Sequence, residues 1–251
     1  MVQVIVNADD FGISREVNQA ICICFQKGMI TNTTLMVNMP YAEEAVTLAK
    51  ENGFSERVGL HLNLTAGMPL TMKIRSCGNF CDSEGRFHAG FHRTTPKRLF
   101  ISKEEADAVR EEVEAQMRKY LTFELPEKHM DSHHHVHTDM SVFDELGPLL
   151  HKYGFRSVRI SRNMYEKTSM FNVWYKKIYN RKLKKLGLKT ADYFGSFRDF
   201  SAYYDKLPEN VLAEVMLHPM FSKEGVLVDT KTPMAEIKSF LDSKKLMLHA
   251  Y

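Results

Sequence analysis

Three stretches of this chain carry residues whose types and spacing suit chemistry. Asn7-Ala8-Asp9-Asp10-Phe11-Gly12 puts two carboxylates side by side close to the start. Gly59-Leu60-His61-Leu62 sets one imidazole in an apolar run, and Asp131-Ser132-His133-His134-His135-Val136-His137 crowds four histidines into five positions. One carboxylate and two imidazoles hold a divalent ion while leaving coordination positions open, as a hydrolytic centre requires. The second aspartate would then stay free as a base. Taken alone, Asp9-Asp10 also reads as a turn or cap before Ser14. Adjacent acids at a strand end are costly, however, unless a cation or donor compensates them. A mixed oxygen–nitrogen set does not choose between zinc, magnesium, manganese and cobalt.

The elements that must position these groups alternate strand and helix. Strands are expected at 2–8, 33–38, 57–65, 129–133, 157–161, 190–194 and 211–217. Helices are expected from Ser14 to Lys27, then over 42–51, 104–120, 142–153, 171–186 and 234–245, with Gly28, Gly154 and Gly187 as stops. Repeated strand–helix units imply a parallel sheet. Seven of them suggest an α/β fold: one single-domain (β/α) barrel over 1–251, a distorted TIM-like barrel of about seven parallel strands, with a long insertion loop at about 66–102. A doubly wound open sheet is the alternative. In such barrels active-site groups sit at the carboxyl ends of the strands. Asp9 and Asp10, His61, His133, Arg159 and His218 all fall there.

Period-two alternation sharpens the choice. Gly59, His61 and Asn63 share one face of the third strand, opposite the leucines. Ser157, Arg159 and Ser161 share one face of the fifth, and Glu214, Met216 and His218 one face of the seventh. If the fourth strand persists, His129, Asp131, His133 and His135 point inward and His134 outward. Pattern alone does not separate His133 from His135. His133 is favoured as the ligand because it lies nearer the strand. His218, fixed by Pro219, suits a general acid, and Arg159 suits a carboxylate partner.

Composition bounds the rest. The chain has 251 residues, 44% hydrophobic and 26% charged, with net charge +3. That balance is ordinary for a globular protein and gives no reason to expect nucleic acid. No run of about 18 apolar residues and no basic-then-apolar leader is present, so no membrane partner is expected. Four cysteines without a framework spacing point to a reducing, cytoplasmic setting. Cys22 and Cys24, two apart on a helix, are expected on different faces. Neither a Gly-rich phosphate loop nor a Gly-x-Ser-x-Gly elbow occurs.

The same motifs, with Asn63-Leu64-Thr65 extending the second, His129-Met130 preceding the third and Glu214-Val215-Met216-Leu217-His218-Pro219 added, resemble the YdjC-like carbohydrate deacetylases. That family includes chitooligosaccharide deacetylases and looks distantly related to the NodB-type enzymes. The resemblance runs in order from the first strand to about residue 220. It implies Asp10, His61 and His133 as metal ligands, with Mg2+ or Zn2+ as the ion. It implies Asp9 as the base, His218 as the proton donor, and Arg159 beside the base. The implied reaction is hydrolysis of an N-acetyl group on a small carbohydrate. Asp9 takes the proton of the attacking water and His218 protonates the departing amine.

Lys73–Arg98 departs from the family pattern and is expected to cover the site. Its Phe80, Phe87 and Phe91 are candidates to stack on sugar faces, with plain loop packing as the competing reading. Cys77 and Cys81 with His88 and His92 make a weaker case for a structural zinc. The cations of 176–189 read as a solvated helix face, with Trp174, Ile178, Leu183 and Leu186 as its packing side. Two other functions were weighed: a metal-dependent phosphoesterase on a similar barrel, and a non-enzymatic sugar- or RNA-binding protein. Barrel habits allow a homodimer.

Overall fold

The computed structural model describes residues 1–89, 94–164, 168–244 and 246–251. Its centre is β1 (Val2–Phe11), whose alternate residues Val4, Val6 and Ala8 are fully buried in the apolar core. Helix α1 (Arg15–Gln26) follows, capped by Ser14 Oγ, which accepts from Val17 N at 3.2 Å. Next come β2 (Asn32–Leu35), α2 (Ala42–Glu51) and β3 (Val58–Leu62). The expected irregular stretch contains two short helices, α3 (Met72–Arg75) and α4 (Thr95–Leu99). The long helix α5 (Lys103–Thr122) opens on a reciprocal cap between Ser102 and Glu105. Then follow β4 (His129–Ser132), α6 (Met140–Lys152), β5 (Ser157–Val158) and α7 (Met170–Lys184). The last barrel units are β6 (Tyr193–Ser196), α8 (Phe197–Tyr203) and β7 (Leu212–Leu217).

The seven strands pair in parallel in the order β5-β4-β3-β2-β1-β7-β6. They form a curled sheet of the distorted TIM-like kind. Among the described residues no ladder joins the edges β5 and β6; a bridge between Ser157 and Lys189 and backbone bonds from Asn163 N and Met164 N to Phe194 O span the seam. Four further strands go beyond the sequence expectation. β8 (Pro219–Phe221), β9 (Leu227–Asp229) and β10 (Thr232–Pro233) make a small antiparallel sheet after β7. Past α9 (Met234–Ser243), β11 (Leu246–Leu248) adds to β1 in parallel. These strands are too short to show a period in sequence.

Packing bears on two readings of single elements. Cys22 and Cys24, two apart on α1, are both buried, and α1 packs against β8 as well as β1 and α2. On α7 the buried side chains are Tyr175, Tyr179 and Leu183, at i, i+4 and i+8, whereas Trp174 is 59% exposed. In the 66–102 stretch Phe80 and Phe87 are buried in the core, so the packing reading holds for them and they cannot stack on a sugar. Phe91 and His92 lie outside the described residues. Helix α5 ties down the start of that stretch. Glu112 accepts from Leu70 N at 2.9 Å and Thr71 N at 2.8 Å, and Gln116 brackets the backbone of Asn63.

Candidate metal centre and active site

Adjacent residues in a regular strand face opposite ways, yet Asp9 and Asp10 line the same cavity. A bulge explains this. Ala8 pairs with Thr33 but Phe11 pairs with Leu35, so β1 carries one extra residue there. Asp10 takes it up with φ of 69°, a left-handed conformation that aspartate tolerates better than most side chains. The bulge re-aims Asp10 into the mouth while Asp9 keeps the inward direction of its strand.

Sheet register supplies the next group. His61 on β3 pairs with Asp131 on β4, which sets their side chains together on the inner face. His61 Nδ1 lies 2.6 Å from Asp131 Oδ1, and Nε2 lies 3.2 Å from Asp10 Oδ1. Thr34 Oγ1 donates to the other Asp131 oxygen at 3.0 Å. A carboxylate on one ring nitrogen fixes the tautomer that leaves the other free for an ion. Burial opposes charge on His61, but Asp131 and the hydrogen bond to Asp10 prevail and push its pKa up to about 10.

His133 does not end β4; it begins a 3-10 turn, His133–Thr138. Strand alternation therefore does not decide which histidine meets the carboxylate. The turn does, with His134 and His135 at φ of 51° and 56°. Such a pair of left-handed residues persists only where its surroundings enforce it. His137 does so: its N–H donates to Ser132 Oγ at 3.0 Å, its Nδ1 is hydrogen-bonded to the same hydroxyl, and its Nε2 meets Arg159 O at 3.1 Å. The turn places His133 Nδ1 2.7 Å from Asp10 Oδ1. His134, expected to point away, lines the cavity, contacts Thr65 Oγ1 at 3.0 Å and lies beside the His133 ring. His135 packs edge-on to Phe194, and burial, then Arg159, holds it well below its ordinary pKa.

Asp10, His61 and His133 thus offer one oxygen and two ring nitrogens within 4.8 Å of one another. One hard oxygen donor with two imidazoles fits Mg2+ or Zn2+ in an open site. Burial opposes ionisation of Asp10, yet hydrogen bonds from His133 and His61 hold its carboxyl well below the usual range.

Behind this group lies a buried ion network that sequence reading did not assemble. Arg159, immediately after β5, is fully buried. Its Nη1 donates to Asp9 Oδ2 at 2.7 Å, and its Nη2 reaches Asp9 Oδ1 and Asp131 Oδ2, each at 2.8 Å. Its Nε donates to Glu214 on β7. Asn7 Nδ2 donates to Asp9 Oδ1 at 2.8 Å. Burial opposes charge on Asp9, but Arg159 outweighs it and leaves the carboxyl far below its ordinary pKa. Glu214 goes the other way: burial pushes it up to about 7 against the pull of Arg159. Asp131 and Glu214 showed in sequence only as members of an inward face.

His218 follows β7 and lines the cavity across from the histidine turn. Its backbone N–H donates to Asp229 Oδ1 at 2.8 Å, and its Nδ1 lies 3.8 Å from the same oxygen. Burial lowers its pKa, but Asp229, Asp9 and Asp10 together raise it above the ordinary value. Asp229 sits on β9, eleven residues on, and no periodicity signals it. The cavity has a volume of about 490 Å3, lined by Asp9, Asp10, His61, His133, His134, His135, Met216 and His218. The described part of 66–102, expected to cover it, supplies none of these residues.

A family model described as YdjC-like protein matches residues 3–246. The chain belongs to the YdjC-like family. This YdjC-like protein is 32% identical over 240 residues to a carbohydrate deacetylase of Clostridium beijerinckii, covering 94% of this chain and 89% of the relative. It is 34% identical over 221 residues to a carbohydrate deacetylase of Geobacillus stearothermophilus, covering 86% and 79%. Among solved structures, an Enterococcus faecalis protein provisionally described as a cellobiose-phosphate cleavage protein superposes with TM-score 0.73 at 21% identity, covering 99% and 97%. That likeness concerns the fold. Among the described residues no helix is long and apolar enough to cross a membrane.

Proposed function

We propose that this protein is a carbohydrate deacetylase. It hydrolyses the N-acetyl group of an acetylated amino sugar or short, chitobiose-like oligosaccharide with the help of one divalent ion. The observation that carries this reading is the grouping of Asp10, His61 and His133 with a separate, Arg159-clamped carboxylate beside it. The relatives named carbohydrate deacetylases support the reaction class. A cavity of about 490 Å3 is in the range of small-ligand sites.

A divalent ion held by Asp10, His61 and His133 would polarise the acetyl carbonyl and lower the pKa of the attacking water. The other steps belong to side chains. Asp9, kept ionised and fixed in direction by two guanidinium nitrogens, takes a proton as the water oxygen bonds to the acetyl carbon. Its low basicity would suit this where a bound ion lowers the pKa of the water. His218, its proton retained by Asp229 and the two active-site carboxylates, gives that proton to the amide nitrogen as the C–N bond breaks. Acetate and a free amino sugar leave.

A two-metal phosphoesterase is the poorer fit. The further acidic groups, Asp9 with Asp131 and Asp131 with Glu214, surround the Arg159 guanidinium, which takes the place of a second cation. Incubation with N,N′-diacetylchitobiose and, separately, with p-nitrophenyl phosphate tests the assignment. Acetate release without phosphate release is expected; phosphate release alone would assign the site to phosphoester chemistry.

The role of His218 has its own consequence. It must be protonated to act, and its pKa stands above the ordinary 6.5. Activity should therefore fall on the alkaline side, at a pH above that value. Asp229→Asn removes the strongest support for the proton, so the alkaline limb should move to lower pH. A kcat/KM–pH profile with an unmoved limb would show that His218 is not the acid.

A further inference from the structure

The basic run of α7 is exposed at Lys177, Arg181 and Lys184, as expected of a solvated face, and part of it also borders a cavity. Lys176, Lys177, Arg181 and Lys184 line a second cavity of about 400 Å3, together with Ile160, Asn163, Asn180 and Asp192. It lies over the seam of the sheet, where among the described residues β5 and β6 form no regular ladder. Backbone groups of the seam are satisfied by two amides. Asn180 Oδ1 accepts from Ser161 N at 2.8 Å and its Nδ2 donates to Ser161 O at 3.2 Å. Asn163 Oδ1 accepts from Phe194 N at 2.8 Å and its Nδ2 donates to Asp192 O at 2.9 Å. Each amide nitrogen carries two hydrogens, so each keeps a further donor.

The charges do not balance. Among the described residues Lys177, Arg181 and Lys184 make no ion pair, and the cavity's single carboxylate, Asp192, accepts from Leu212 N at 3.1 Å. Lys176 is half-buried; burial lowers its pKa, Arg162 and Arg98 add to that, and Asp199 opposes it. Exposed Lys177, Arg181 and Lys184, half-buried Lys176 and two amide donors surround this one concavity. Cations gathered around one concavity favour an anion there. The guanidinium fork and lysine ammoniums are the usual partners of phosphate oxygens.

We infer that this seam cavity is a binding site for a phosphate-bearing small molecule, either free phosphate or a phosphomonoester, distinct from the hydrolytic centre. The size of the cavity favours a small ligand over a nucleic acid. The inference does not depend on the deacetylase reading, because its residues are separate from those of the hydrolytic site.

Calorimetric titration of the metal-loaded protein at low ionic strength tests it, using inorganic phosphate, glucose 6-phosphate and neutral glucose. Binding of one or both phosphate probes, not of glucose, is expected, and it should weaken as salt rises. Preference between the two probes identifies the source of the phosphate. The Lys177→Gln/Arg181→Gln variant should bind about tenfold or more weakly while deacetylation of N,N′-diacetylchitobiose is unchanged, and His133→Ala should bind as the parent does. Lys184→Glu serves as a second variant should the double one fail to fold. Absence of binding by both phosphate probes overturns the inference, as does undiminished binding by the seam variants. Loss of binding in His133→Ala alone places the anion at the hydrolytic centre and overturns it too. Binding of a single-stranded RNA oligonucleotide but neither small anion makes the face a nucleic-acid surface instead.

Discussion

Asp9→Asn is expected to retain a bound divalent ion and to lose hydrolysis by about 10²–10⁴-fold, the usual span for a general base. Asp10, His61 and His133 are the proposed ligands, so the substitution leaves them in place. It does turn one amide N–H toward Arg159, where both carboxylate oxygens now accept. A lower melting temperature should therefore accompany the loss of rate. Metal content per folded chain and kcat for acetate release, measured together, separate the two effects. Activity within a few-fold of the parent would reduce Asp9 to a counter-ion for Arg159.

Arg159→Met is expected to cost about 3–5 kcal/mol of stability, because it strands buried carboxylates without their cation. The sign of its pH dependence follows from the same geometry. Without the guanidinium, Asp9 and Glu214 lose an interaction that now lowers their pKa values. Both then bind protons more tightly folded than unfolded, so the variant loses stability as pH rises. The deficit against the parent should be larger at pH 8 than at pH 5, as read by urea unfolding. A deficit that is small, or equal at the two pH values, would mean that solvent or rearrangement neutralises the site.

The types of residue the chemistry needs were legible in sequence; the geometry that brings them together was not. His61 and Arg159 follow from strand alternation because each lies in or directly after a strand of regular pleat, whereas Asp9 is marked by its place in an acidic pair at a strand end. Asp10 and His133 meet for reasons that alternation misses, a bulge in β1 and a left-handed turn after β4. Each places a residue where a period of two would not. His134 was misdirected by the same turn. Asp131 and Glu214 stood on the right faces, but their convergence on Arg159 depends on sheet curvature, which no local pattern encodes. Asp229 belongs to a three-residue strand in a small antiparallel sheet, and elements that short carry no period to read. The parallel barrel itself was clear from repeated strand–helix units. Its open seam was not, because β5 has two residues where five were expected.

The most direct test of the account is acetate release from N,N′-diacetylchitobiose by the metal-loaded protein, beside a chelated sample and His133→Ala. Release that disappears on chelation, returns with added Mg2+ or Zn2+, and is absent in His133→Ala is the predicted result. Release that survives chelation, or that persists in His133→Ala, would contradict a centre built on Asp10, His61 and His133.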